Sequence, residues 1–352
     1  MPTHDGIVRV LAIDDSAVAR TLYRELLTFR HGIELVATAP NAEIARRKLV
    51  SLEYDVVVLD IEMPGEDGLS LLRWLMAHQP VPVVVASSWS SRGAEQTMEA
   101  FALGAVDVVC KSAPGASSAL QDFSAALISA VRAAASARRR VPRRPLPARV
   151  EQVEALPAGL RRSMVVVIGA STGGTEVLSR LVSQMPAQFP PTLVVQHMPA
   201  LYTRAFANRL NTLGVVRVSE AEHGHMIGAG EVLAPPGGSQ MRVMPGARGP
   251  IAQIAAEGPG NRHAPSVDVL FESVSDHYRH RTIGVLLTGM GNDGARGLLA
   301  IRQAGGRTVA QDEASSVVWG MPQEALRLDA AEVVLPPDEM IAHIIRCVQH
   351  QR

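Results

Sequence analysis

Residues 164–174 read Met-Val-Val-Val-Ile-Gly-Ala-Ser-Thr-Gly-Gly. The unbroken apolar run Met164–Ile168, rich in β-branched residues, predicts a strand buried on both faces. Gly169 and Gly173-Gly174 allow a sharp turn, and a helix is expected from about Thr175. Ser171 lies in that turn, between glycines spaced as in Gly-x-Ser-x-Gly, which lifts a hydroxyl clear of a strand-to-helix elbow. A glycine-rich phosphate-binding turn, or simply a tight βα connection, fits the same residues. This stretch alone leaves the choice open.

Downstream the chain alternates. Helix 175–185 leads to strand Thr192–Gln196, which ends at His197-Met198-Pro199, then to a helix near 200–211 and a strand at 215–218. Residues 219–260, rich in glycine and proline, predict a hairpin-like excursion with short strands at 231–234, 241–244 and 251–255. Asn261-Arg262-His263 precedes helix 266–278, whose Val267, Leu270, Phe271 and Val274 make one apolar stripe. Strand 281–288 runs into Gly289-Met290-Gly291-Asn292-Asp293-Gly294, followed by helix 295–304, strand 307–311, a helix near 321–328, strand 332–335 and helix 337–348. This alternation predicts a mainly parallel, doubly wound sheet.

Ser171, His197 and Asp293 are each read as following an apolar strand, which puts all three on one sheet edge. Nucleophile, base and orienting acid are the roles hydroxyl catalysis needs. The backbone N–H groups of Thr172 and Met290 are placed to meet an oxyanion. Taken singly, His197 reads as a packed histidine and Asp293 as a helix N-cap; their shared placement with Ser171 favours the triad. The order Ser…His…Asp differs from the Ser…Asp…His order of α/β-hydrolases. His263 is kept as a possible substrate contact, while His223, His225, His277 and His280 read as loop or surface residues.

Before the elbow, residues 131–163 carry nine arginines, two glutamates and prolines at 142, 145, 147 and 157. That composition predicts an extended linker. No aromatic is interleaved with the arginines and no helix-turn-helix pattern follows, so nucleic acid is not expected as a partner. Ahead of the linker come five β/α alternations: strands at 7–13, 33–38, 55–59, 81–86 and 106–110, and helices at 17–29, 41–52, 69–77, 91–103 and 117–136. Asp14, Asp15, Asp60, Ser87 and Lys111 all fall at strand carboxyl ends. Clustered carboxylates call for a hard divalent cation or a cationic side chain, and a metal-bound carboxylate beside a lysine and a hydroxyl suits phosphoryl transfer.

Composition agrees with two modules. Residues 1–130 carry ten basic and sixteen acidic residues, about −6; residues 131–163 about +7; residues 164–352 fifteen arginines and sixteen acids, about −1. The two cysteines, Cys110 and Cys347, lack metal-ligand spacing, no apolar run approaches a membrane span, and no signal pattern opens the chain. A cytoplasmic protein without membrane insertion is expected.

Asp14-Asp15, Val-Val-Leu-Asp60-Ile-Glu-Met-Pro, Asp67-Gly68, Ser87 and Lys111 resemble the receiver domain of two-component response regulators. The resemblance implies Asp60 as phospho-acceptor, Asp14 and Asp15 beside it for Mg²⁺, Ser87 as switch hydroxyl and Lys111 as the phosphate-contacting lysine. Ser112 stands where receivers usually have proline, and Val108 where the last strand often has an aromatic. Gly169-Ala-Ser171-Thr-Gly-Gly, Gln196-His197-Met-Pro, Asn261-Arg-His-Ala-Pro-Ser-Val-Asp268 and Leu287-Thr-Gly-Met290-Gly-Asn-Asp293-Gly resemble the catalytic domain of chemotaxis protein-glutamate methylesterases.

This second resemblance implies a Ser171, His197 and Asp293 triad with no cofactor for the ester chemistry. It also implies hydrolysis of glutamate γ-methyl esters on chemoreceptor cytoplasmic helices, deamidation of particular receptor glutamines, and a chemotaxis histidine kinase as phosphodonor. The expected architecture is therefore two doubly wound parallel-sheet α/β domains: a flavodoxin-like receiver at 1–130, a basic Pro/Arg linker at 131–163 and a Rossmann-like serine esterase domain at 164–352. The expected gate is an acidic receiver covering the esterase's carboxyl edge until Asp60 is phosphorylated.

Two other classes share parts of this pattern. A DNA-binding response regulator would share the receiver, but its output domain is usually short, basic and helical. A dinucleotide-binding enzyme would use the glycine turn as a pyrophosphate cradle, but no Gly-x-Gly-x-x-Gly is present and residues 184–189 hold no acid.

Overall fold

The structure, a computed structural model, describes residues 6–111, 119–137, 164–247, 249–256 and 264–350. These fall into two compact units that divide at residue 140. No described helix is long and apolar enough to cross a membrane.

The first unit alternates β1 (Val8–Ile13), α1 (Ala17–Leu26), β2 (Ile33–Ala39), α2 (Ala42–Ser51), β3 (Val56–Asp60), α3 (Gly68–His78), β4 (Val83–Ser88), α4 (Ser91–Leu103), β5 (Asp107–Lys111) and α5 (Ala119–Ala137). The strands pair in parallel in the order β2-β1-β3-β4-β5. Val10, Ala12, Val56, Val58, Val84 and Ala86 form one buried face with Tyr23 and Leu27 from α1 and Phe123, Leu127 and Val131 from α5. Leu11, Ile13, Val57 and Leu59, which alternate with them, are equally buried, as a sheet covered on both faces requires. Side-chain caps fix where helices begin: Ser16, Asn41, Asp67 and Ser90 accept the N–H of Ala19, Ile44, Ser70 and Gly93. Each cap contributes about 1 kcal/mol, and an early helix start keeps the preceding loop close to the sheet edge.

One helix boundary differs from the sequence reading. The first helix was expected to reach Phe29 but stops at Leu26, because Leu27 leaves helical geometry and a single 3₁₀ turn, Phe29–His31, closes on Gly32 at φ +66°. Residues 131–137, grouped by composition with the linker, continue α5, in keeping with the helix read over 117–136, and bury Val131 and Ala134. The rest of that linker, 138–163, lies outside the described residues, as do Ser112 and His263.

The second unit comprises β6 (Val165–Ala170), α6 (Gly174–Gln184), β7 (Thr192–Gln196), α7 (Ala200–Asn211), β8 (Arg217–Glu220), β9 (Glu231–Ala234), β10 (Ser239–Gly246), β11 (249–256), α8 (Val267–Tyr278), β12 (Thr282–Leu286), α9 (Ala295–Gln303), β13 (Arg307–Gln311), α10 (Met321–Arg327), β14 (Val333–Leu335) and α11 (Pro337–His350). Seven strands pair in parallel in the order β14-β13-β12-β6-β7-β9-β8. The expected hairpin excursion over 219–260 is smaller than read. β9 is not part of it but lies in the main sheet between β7 and β8, and only β10 and β11 form an antiparallel hairpin. Strand alternation states how many strands there are, not which pair.

From β6 the chain moves to β7 on one side, and the later strands β12, β13 and β14 build the other side. The reversal makes the carboxyl end of β6 the switch point, where a crevice opens in such sheets. Val165 and Val167 of β6 pack with Leu193, Val195, Val267, Leu270 and Phe271, each such buried side chain stabilising by roughly 1.5–3 kcal/mol. The approach of α8 is close: a Cβ at Gly169 would lie 2.2 Å from Val267 Cγ1.

Candidate active site

Ser171 leaves β6 on a turn that only glycines complete. Gly173 sits at φ +78°, and a Cβ there would lie 2.5 Å from Val317. The Ser171 carbonyl accepts the Gly174 N–H at 2.7 Å, which tightens the entry into α6, and the Ser171 N–H donates to the Thr288 carbonyl at 3.0 Å. The buried Thr288 hydroxyl lies 3.0 Å from the Thr172 carbonyl oxygen and 3.1 Å from that of Val318, and it accepts the Val318 N–H. The elbow is therefore pinned from beneath by β12's extension. The 289–294 loop also presses on Ser171: a Cβ at Gly289 would stand 2.7 Å from Ser171 Cβ. Glycine there admits the backbone that carries Met290 beside the serine.

His197 stands beside Ser171 because of the register. Ala170 pairs with Gln196, and the His197 N–H extends the ladder by donating to the Ala170 carbonyl at 3.0 Å. Its Nε2 meets Asp293 Oδ2 at 2.8 Å. A carboxylate only accepts, so Nε2 carries the proton of the neutral ring and Nδ1 is its basic nitrogen.

Asp293 does not directly follow its strand, as the sequence reading held. β12 ends at Leu286, and the aspartate sits at the far end of a glycine-rich loop. Nor does it cap its own helix: α9's N-cap is Gly294, with no side-chain bond. It caps the neighbouring helix instead, accepting Val267 N–H (2.8 Å), Asp268 N–H (3.0 Å) and the Ser266 hydroxyl (2.8 Å) at the start of α8. Asp268 returns the arrangement, accepting the Gly294 and Gly297 N–H groups at 2.9 and 2.8 Å. Two helix N-termini thus hold each other through one aspartate apiece. Burial works to raise the Asp293 carboxyl. The His197 bond, the His197 charge and the two backbone N–H groups outweigh it and hold the carboxyl well below the usual range.

In the first unit, Asp14, Asp15 and Asp60 each offer an oxygen, all within 4.8 Å of one another. Asp14 follows β1 and Asp60 ends β3. Lys111, the last residue of β5, places Nζ 2.7 Å from Asp14 Oδ2 and 2.6 Å from Asp60 Oδ2. Burial raises the Asp60 carboxyl, and Lys111's opposition does not fully cancel it. Burial lowers the Lys111 ammonium, but the two aspartates more than offset that and push it up. Ser87 is fully buried on β4 with Oγ 3.3 Å from the Gly93 carbonyl. Gly68 allows α3 to lie against the end of β3, since a Cβ there would fall 2.2 Å from the Asp60 carbonyl.

Ser266, Asp268, Thr288 and Gln196 enter the sequence analysis only as members of the motifs, with no role of their own, and Tyr23 carries none. Tyr23, on α1, donates its hydroxyl to Asp14 Oδ2 at 2.9 Å. Taken by themselves, Ser266-Val267-Asp268 read as an ordinary helix N-cap.

Comparison with known proteins joins both units. A CheB methylesterase family model matches residues 166–344, and a response regulator receiver domain model matches residues 10–120. A protein-glutamate methylesterase/protein-glutamine glutaminase of Bordetella avium is 46% identical over 344 residues, 96% of each chain. The chain belongs to the CheB methylesterase family. A relative of the same description from Anaeromyxobacter dehalogenans is 45% identical, covering 96% of this chain and 94% of its own. The crystal structure of the Thermotoga maritima CheB methylesterase catalytic domain aligns with a TM-score of 0.51 at 33% identity, over 52% of this chain and 97% of that one. This CheB-family chain therefore matches its curated relatives across both units, not through the catalytic half alone.

Proposed function

We propose that the chain is a protein-glutamate methylesterase and protein-glutamine glutaminase acting on chemoreceptors, with Ser171, His197 and Asp293 as its catalytic residues and phosphorylation at Asp60 as its activator. The observation that carries this is the 2.8 Å His197 Nε2–Asp293 bond next to the serine elbow. Nδ1 of His197 takes the Ser171 proton as Oγ attacks the ester carbonyl. The N–H groups of Thr172 and Met290 receive the negative charge that forms on the carbonyl oxygen; one such donor is worth roughly 10²–10³ in rate. Asp293 stabilises the imidazolium. The tetrahedral adduct collapses as His197 returns the proton to the departing methanol, leaving a glutamyl ester on Ser171. Water, deprotonated by His197, then attacks that ester and releases a glutamate carboxylate and free Ser171. With a glutamine substrate the same steps release ammonia.

In the receiver the donor set fits Mg²⁺: buried Asp14 and Asp60, both paired with Lys111, and exposed Asp15 offer three clustered hard oxygen ligands. Asp14, Asp15 and Asp60 would hold the ion, which supplies neutralisation of the phosphoryl oxygens when bound. Asp60 offers the attacking carboxylate oxygen, and Lys111 holds an ammonium beside it. The phosphodonor is a histidine kinase, and the substrate glutamates lie on receptor cytoplasmic helices.

The test uses purified full-length protein, a small-molecule phosphodonor and a methyl-labelled receptor. Methanol release is expected, at least about 10³-fold lower in Ser171→Ala, with stimulation by the phosphodonor lost in Asp60→Asn. Full activity in Ser171→Ala would refute the mechanism, and undiminished stimulation in Asp60→Asn the activation.

A further inference from the structure

Gln196, the last residue of β7, stands immediately before His197 and is buried. Its Nε2 lies 2.9 Å from the Ser171 carbonyl oxygen and 3.0 Å from the His197 carbonyl oxygen. Both neighbours only accept, so this atom must be the NH₂ nitrogen, and both of its hydrogens are used. The other end is a liability. Gln196 Oε1 is buried without a partner among the described residues, and it lies where a Cβ on Gly174 would meet it at 2.3 Å. An unpaired buried carbonyl destabilises a fold, so the side chain is kept for what its nitrogen does.

What the nitrogen does follows from peptide geometry. The Ser171 carbonyl and the Thr172 N–H belong to one planar trans unit and point in opposite directions. Two donors, Gly174 N–H at 2.7 Å and Gln196 Nε2 at 2.9 Å, hold that carbonyl. Holding it aims the Thr172 N–H the other way, and donation to the carbonyl polarises the same amide into a stronger donor. The second Gln196 hydrogen ties in the carbonyl of His197, so nucleophile and base share one clamp. We propose that Gln196 is a positioning residue that fixes the Ser171–Thr172 peptide plane and so builds the oxyanion donor of the elbow. This rests on the reading of Ser171 as nucleophile.

The experiment compares Gln196→Met and Gln196→Glu with the full-length wild-type chain, activated by phosphodonor, on receptor methyl ester. Phenylboronic acid, which forms a tetrahedral adduct with a nucleophilic serine, is the second probe. Gln196→Met should lower kcat roughly 10- to 100-fold, below the cost of deleting an oxyanion donor outright, with KM within about twofold of wild type. Phenylboronic acid inhibition should weaken by a similar factor, and the variant-to-wild-type ratio should be flat with pH.

Gln196→Glu keeps the shape but turns a carboxylate on two carbonyls. Its deficit should be larger and should shrink as pH falls, because the introduced carboxyl, raised by burial and repulsion, becomes a donor when protonated. Wild-type kcat and boronate affinity in Gln196→Met would overturn the proposal. So would a kcat loss with unchanged boronate affinity, or a pH-independent Gln196→Glu ratio, either of which indicates support of the fold alone. Should Gln196→Met not fold, the pH ratio of the near-isosteric Gln196→Glu decides. Ser171→Ala separates the two claims: if it stays active the reading of the nucleophile fails, whereas an inactive Ser171→Ala beside an unaffected Gln196→Met fails only this inference.

Discussion

The two sheet edges solve the problem of a buried carboxylate in opposite ways. At the receiver edge Asp60 is met by a charge: Lys111 reaches it and Asp14 together, yet burial still leaves the Asp60 carboxyl raised. At the esterase edge Asp293 is met by His197, whose bond and charge lower it most, and by two backbone N–H groups at the start of α8 that lower it further, with the Ser266 hydroxyl on the same carboxylate. The first arrangement suits a carboxylate that must react, since it is not stabilised to the point of inertness. The second suits one that must stay ionised and fixed while its histidine gains and loses a proton.

The largest expected break in this contrast is Asp293→Asn. It keeps shape and one acceptor oxygen but destroys the charge and allows the wrong His197 tautomer, so kcat should fall by roughly 10³–10⁴. The sign of its pH effect also follows. Because the folded carboxyl lies below its ordinary value of 3.8, its contribution to stability is fully present above that value and is lost as pH falls toward the folded one. Acid titration of thermal stability should therefore be shallower below about pH 4 in Asp293→Asn than in wild type. A parallel pair of curves would mean that His197 and the N-terminus of α8 together do not stabilise the charge.

Next in size is Asp268→Ala. Its Oδ1 receives the Gly294 and Gly297 N–H groups, so alanine leaves the start of α9 uncapped and loosens the loop that carries Asp293. A stability loss of about 1–2 kcal/mol is expected, with kcat down roughly tenfold, as a small misplacement can cost up to 10²-fold. Asp268→Asn, which retains Oδ1 and loses only the pairing of Oδ2 with Arg296, should restore most of both. Calorimetry and methanol release measure the two, and no rescue by asparagine would show that charge, not capping, is what Asp268 supplies.

The same contrast governs what could be read from residue order. Asp14, Asp60, Ser87 and Lys111 sit on or directly after strands, so the β/α alternation was enough to bring them together. Ser171 and His197 were legible for the same reason. Asp293 was legible as part of a glycine-rich motif but was misplaced relative to its strand, since nothing in residue order says that a loop will fold back onto a neighbouring helix. Ser266, Asp268, Thr288 and Gln196 act through bonds between distant segments and belong to residue types that read as caps or solvated ends. The insertion of β9 between β7 and β8 was hidden for a related reason: alternation orders strands along the chain, whereas pairing depends on the faces each must bury. Tyr23 falls on α1's apolar stripe and reads as core, which it is; the partner of its hydroxyl was invisible.

That hydroxyl marks where the contrast is least clean and gives the smallest effect. Asp14 is not held by charge alone. Oδ2 accepts from the Tyr23 hydroxyl at 2.9 Å as well as from Lys111, and Oδ1 accepts the Ser16 N–H at 2.9 Å. Burial first, and then the Asp14 charge, push the Tyr23 hydroxyl far above its ordinary value, so it remains a donor at every working pH. Tyr23→Phe removes one donor and keeps the ring that fills the core. A hydrogen bond to a charged group contributes about 1.5–3 kcal/mol, and with Lys111 and Ser16 still in place the loss should fall at the low end. Differential scanning calorimetry should show that loss in the receiver transition. Mg²⁺ titration followed by tryptophan fluorescence should show a few-fold weaker affinity, because a carboxylate released from one of three donors is less fixed toward the ion. If Tyr23→Phe instead binds Mg²⁺ more tightly, the hydroxyl competes with the ion for Oδ2. The hydroxyl would then not help to hold Asp14 for the ion, and the division between the two edges would be sharper.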